Sequence, residues 1–146
     1  MGMKLGMEAR LYRNTGDYAT PVWTLLPNVK DLTLNLETAE ADVTTRANAG
    51  WRATIATLKD GSIEFQMVFN SDDASFAALR DAYLNSTAVE VAVMDGDIAA
   101  TGSEGLRASC SVTNFARNEA LEEAISFSVT LKPTYADNAP EWLTIA

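Results

Sequence analysis

The chain has no histidine, which removes the commonest general base and the commonest metal ligand together. It has one cysteine, Cys110, so no internal disulfide can form, and the expectation is a reducing compartment. It has no run of about 18 apolar residues, so no helical membrane anchor is expected. Its first residues, MGMKLGMEARLYRN, lack an apolar core of signal-peptide length, and synthesis in a cytoplasm is expected. Bases are few and unclustered, and the net charge is −9. Such a chain lacks the positive footprint of a nucleic-acid binder, although like-charge repulsion suits a surface that nucleic acid must pass without sticking. The eight glycines are dispersed at turns and form no phosphate-cradling loop.

What is present is alternation. A 146-residue chain with 47% hydrophobic residues is long enough to bury a real core as one domain spanning residues 1–146. Leu32, Leu34 and Leu36 alternate with polar residues from Lys30 to Glu37. The same period marks Ser62 to Asn70, Val89 to Val93, Leu106 to Thr113 and Ile125 to Lys132, where Pro133 stops it. Glu8 to Asn14 and Val22 to Leu26 read as weaker strands, and Trp51 to Leu58 as an extended, threonine-rich one. Asp60-Gly61 reads as a hairpin turn, Asn114-Phe115 as a bulge where the pattern slips, and Asn118 to Glu123 as a connecting turn. Ile98 to Gly105 and the segment after Pro133 read as loops, the latter with Trp142, Leu143 and Ile145 as anchors.

One helix is predicted from Asp72 to Asn85, capped by Ser71 or Asp72, with Phe76, Leu79 and Tyr83 as its apolar stripe. Seven or eight strands and one helix predict a mainly β fold: a mostly antiparallel sandwich or barrel with one flanking α-helix.

Between two alternating runs lies AEADVTTRANAGWR, Ala39 to Arg52, which alternates poorly. A tight hairpin needs about two to five loop residues, so this is either a solvated loop or an arm that touches a partner. No catalytic set stands out. Asp72/Asp73 suit a helix start, and Asp95-Gly96-Asp97 suits a turn. The latter lacks the further oxygen ligands of a calcium loop, so neither metal nor cofactor is expected. Cys110 falls on the apolar face of its strand and reads as a buried structural thiol. A monomeric β-barrel or sandwich module for a small ligand or carbohydrate remains the alternative function class, with a carboxylate hydrolase weaker still.

The ordered combination of Asn28 to Glu37, Glu40 to Arg52, a strand ending at Asn70 with the helix to Tyr83, Leu121 to Thr134 and Pro140-Glu141-Trp142 resembles the tail tube, or major tail, proteins of long-tailed bacteriophages. Type VI secretion tube proteins share that architecture. The resemblance implies a structural, non-enzymatic subunit of the virion tail. Its copies would self-assemble into stacked hexameric rings around a bore that conducts DNA without binding it specifically. It also implies tail tip or initiator, tape-measure and terminator proteins as partners. Carried onto this chain, the arm is the subunit interface: Glu40, Asp42, Val43, Thr44, Thr45, Arg46 and Trp51. Asp42, Thr44 and Arg46 would make its polar contacts and Trp51 its packing anchor.

Overall fold

A computed structural model describes residues 6, 9–70, 72–119, 121, 124–134 and 138–145. The strands are β1 (Arg10–Asn14), β2 (Trp23–Leu25), β3 (Val29–Asp42), β4 (Thr54–Val68), β5 (Ala88–Met94), β6 (Glu104–Asn118), β7 (Ser126–Pro133) and β8 (Glu141–Thr144). The helix α1 spans Ala74–Asn85. Every strand pair is antiparallel, in the order β2-β1-β5-β6-β7-β4-β3, and β8 pairs the first residues of β6. The mainly β expectation with one flanking helix therefore holds.

Alternation places the core. Paired residues on neighbouring strands share a face, so single apolar rows cross the sheet. Leu32, Phe65, Val129 and Phe115 form one row; Leu34, Ile63, Leu131 and Val112 form the next. Ile63, Phe65, Val129 and Leu131 are buried. Each such side chain contributes about 1.5–3 kcal/mol relative to exposure. The predicted slip near Asn114 is a register shift between Val112 and Asn114, which keeps Phe115 on the core side.

Helix α1 covers these rows with Ser75, Phe76, Leu79 and Ala82. Phe76 packs against Phe69, Phe115 and Phe127 with ring centroids 5.1, 6.0 and 4.8 Å away. Two expectations change here. Tyr83 lies at the stripe's edge, half-exposed and stacked on Phe115, because Ala82 takes the buried position. The cap is Asp73, whose Oδ1 accepts from the Ser75 N–H at 2.9 Å, so Asp72 is not the cap; Ser71 lies outside the described residues. Asp73 Oδ2 also accepts from Asn28 Nδ2, which ties the helix start to the approach to β3.

β5 is buried on both sides. Val89, Val91 and Val93 join the main core, while Ala92 and Met94 join Tyr12 in a second cluster with Trp23, Ile98, Leu143 and Ile145. The segment after Pro133, expected to be a loop, supplies β8 to this second layer. Its backbone pairs with β6, and Leu143 faces the cluster.

Arg107, which alternates with the apolar residues of the Leu106 to Thr113 run, is nonetheless buried. Its Nε donates to Glu90 Oε1 at 3.1 Å and its Nη2 to the Tyr18 carbonyl at 2.7 Å. Its guanidinium lies 3.7 Å from the Tyr18 ring centroid and 5.1 Å from that of Trp23. Cys110 is buried as expected, and desolvation pushes its thiol up to about 12.

Two further expectations give way. Asp60-Gly61 is no turn: both residues sit inside β4, opposite Glu37 and Leu36. The strand pattern that stopped at Glu37 also continues to Asp42, so Trp51 to Leu58 and Ser62 to Asn70 are not two strands but parts of one region dominated by a 15-residue strand. A strand partner running alongside fixes Gly61 in the ladder, and the Cβ it lacks would meet Leu36 Cδ2 at 3.1 Å.

Candidate assembly arm

Beyond Leu36 and Gly61 the β3–β4 ribbon leaves the body of the sheet. Residues 37–40 and 54–60 are exposed on both faces. The expected 39–52 loop is thus mostly ribbon and tip: Glu40, Ala41 and Asp42 pair with Ala56, Ile55 and Thr54. A two-stranded ribbon without a covered face is marginal in water on its own, and this one is held at its base by the sheet it extends.

A bulge redirects the arm's apolar side. Between Thr38 and Glu40, β3 advances two residues while β4 advances three, from Lys59 to Ala56. The apolar series changes parity at the same place. Leu32, Leu34 and Leu36 lie on the core side; Ala39, Ala41 and Val43 follow on the opposite side. Ile55 opposes Ala41 there, and Leu58 sits in the bulge, 80% exposed. The arm therefore carries its apolar side on the face that is polar elsewhere on the sheet.

The tip is held by its own polar groups. Asp42 Oδ1 accepts from the Thr44 N–H at 2.9 Å and from the Thr44 hydroxyl at 2.6 Å. Thr44 Oγ1 in turn accepts from the Ala53 N–H at 2.8 Å. Thr45 caps a short 3-10 turn, Arg46–Asn48, through its hydroxyl and the Ala47 N–H. Ala49 and Gly50 then take φ of 52° and 86°, the left-handed region where glycine costs least, and this turns the chain back. The Asn48-Ala49-Gly50 signal is that turn. The Thr44 hydroxyl, and after it the Thr44 N–H, hold the Asp42 carboxyl below its ordinary value.

The residues singled out from sequence thus divide by direction. Asp42, Thr44 and Thr45 face the tip's own backbone. Glu40, Val43, Arg46 and Trp51 are exposed, Trp51 to 78%. Arg46 and Arg52 make no ion pair among the described residues. Sequence reasoning missed Ile55, Leu58 and Arg52.

A second surface lies on the sheet face away from α1. Thr33, Glu64, Thr130 and Asn114 form one polar row, and Gln66 and Ser128 belong to the next. With Asp31 they line an open depression of about 370 Å³. Hydroxyl, amide and carboxylate groups dominate it, so it presents a wetted and acid-bearing surface.

Against known proteins, a family model described as "Phage tail tube protein" matches residues 9–134. Comparison with curated protein sequences gives no match. The fold is similar to a chain in the virion of a native gene transfer agent particle, at 14% identity, with 97% of this chain and 100% of that one covered and a TM-score of 0.75. It is similar to a chain in the tail of an empty gene transfer agent particle of C6 symmetry, at 15% identity, 99% and 100% coverage and a TM-score of 0.74. It is also similar to the SPP1 tail tube, at 17% identity, 89% and 75% coverage and a TM-score of 0.69. At these identities the likeness is one of fold.

Proposed function

The chain belongs to the phage tail tube protein family, a family of structural subunits, and we propose that its copies close into six-membered rings that stack into the hollow tube of a virion tail. In this reading residues 1–146 act as one tail-tube-like domain and the β3–β4 arm joins one copy to another. The observation that carries it is the arm itself: an exposed ribbon whose apolar residues change sides at a bulge and find no cover among the described residues. The C6 symmetry of the gene transfer agent tail, whose subunit shares the fold, supports six copies per ring.

The other features fit the same reading. β3 and β2 end the sheet, and open edges that are a hazard in a monomer become joints when a neighbour's strand pairs with them. The polar face of β3, β4, β7 and β6 lines the bore, where Asp31 and Glu64 repel the phosphates of passing DNA. The tube ends meet tip, initiator and terminator proteins, and the bore holds the tape-measure protein before DNA leaves.

At the arm, Trp51, Val43 and Arg46 make direct contacts and Glu40 flanks them. Asp42, Thr44 and Thr45 act by shaping the tip. Truncating a desolvated Trp or Arg at an interface costs roughly 2 kcal/mol or more. The test is electron microscopy with light scattering on the concentrated protein. Rings or tubes are expected from the natural chain, and Trp51→Ala or Arg46→Ala should stay folded yet assemble poorly. A natural chain that remains monomeric at every concentration would overturn the proposal.

A further inference from the structure

Resting on the self-assembly reading, we infer that the arm tip docks on the opposite end of the sheet in a second copy, at Phe69, Ile125, Asp72 and Glu119. The tip's positive charge is unmatched among the described residues: unlike Arg107 and Arg117, its two arginines form no ion pair. In a chain of net charge −9, residues 43–53 carry Arg46 and Arg52 and no acid. The tip is apolar as well, through Trp51 and Val43.

Its complement lies at the other end of the same strands. Val68 pairs with Ser126, and Ser126 with Asn118; the Phe69 N–H donates to the Ile125 carbonyl at 2.8 Å. Phe69 stands at this edge of the aromatic cluster and Ile125 lies beside it, 36% and 37% exposed. Asp72, after Phe69, and Glu119, next to Asn118, are exposed. Arg117 pairs with Glu119, while Asp72, with Asp73 next to it, leaves the end acidic.

The complementary surfaces cannot meet within one molecule. β4 runs from Thr54 to Val68, and at about 3.3 Å per residue it separates them by roughly 45 Å. Screening in physiological salt acts over about 8 Å, so the two ends do not sense one another within a copy. Between copies, apolar meets apolar and arginine meets carboxylate. Tip and end are different surfaces, so repeating the contact builds a head-to-tail line rather than a closed pair. The receptor end thereby gives every copy the same axial direction.

Charge exchange tests this. One variant reverses the tip (Arg46→Glu with Arg52→Glu) and another reverses the end (Asp72→Lys with Glu119→Lys), each checked for folding by circular dichroism. Asp73 is left alone because it caps α1. At low salt each variant alone should lose at least tenfold of its sedimenting assembly. An equimolar mixture should recover it, because each tip then meets an end of opposite sign. If only the tip variant is defective and the mixture does not recover, the receptor lies elsewhere and the arm reading stands. If both variants assemble like the natural chain, neither surface is used. Recovery as dimers alone would overturn the head-to-tail contact. Failure of the natural chain to assemble would instead remove the reading on which this one rests.

Discussion

Arg107 shows what a single side chain does in this sheet. It sits beneath Tyr18 and Trp23 with its charge matched by Glu90 and, at 3.8 Å, by Glu141, so it joins the β1–β2 connection, β5 and β8. Removing one partner of a buried pair strands the other. Arg107→Met should therefore lower stability by about 3 kcal/mol, and adding Glu90→Gln should return part of that. Urea unfolding of the single and double variants measures both. Asp42 gives a second expectation at this scale. Its carboxyl titrates below the ordinary aspartate range, so its contribution is complete above that range and is lost as pH falls through the lowered one. Acidification below about pH 4 should loosen the tip before the core, seen as faster exchange of the Thr44 amide and altered Trp51 fluorescence.

Among elements, α1 and β6 each depend on one small feature. Asp73→Ala removes the helix cap and the bond to Asn28, and should cost about 1 kcal/mol in thermal or urea unfolding, with the sheet intact. Gly105 has no room for a side chain, since an added Cβ would stand 1.6 Å from the Val93 carbonyl oxygen. Gly105→Ala should therefore separate β5 from β6 and destabilise the chain severely, by more than about 3 kcal/mol.

Elements with one face on the main core were legible as strands because burial imposed a period of two: Leu32 to Leu36, Ile63 to Met67 and Phe127 to Leu131. Those held by other means were not. β8 is short and gains its place from pairing with β6. Arg107 looked like a surface residue because no local pattern announces a second layer. Asp60-Gly61 has turn chemistry, yet a neighbouring strand overrides it.

For the whole molecule, the arm contributes little to the fold and is proposed to contribute much to assembly. Replacing residues 43–53 by a two-residue Asn-Gly turn should leave the melting temperature within about 2 °C, since a solvated tip buries little apolar area. The same replacement should abolish tubes in electron micrographs. An interruption between two amphipathic strands was visible in the sequence, and so were the exposed Arg46 and Trp51. Its ribbon character was not visible, because exposure on both sides removes the alternation that marks a strand. Ile55 and Leu58 were obscured by the bulge, which breaks the simple count across the pair.

That bulge also sets how such an arm can change length. Its side chains repeat every second residue, so adding one residue to each strand would turn the Ala41–Ile55 side over and bring Glu40 and Asp42 to the face that side now occupies. Adding two to each keeps the face and extends the reach by roughly 7 Å. Reach is thus available only in whole steps of that size, and the spacing between successive layers of a tube built on this arm would be quantised with it.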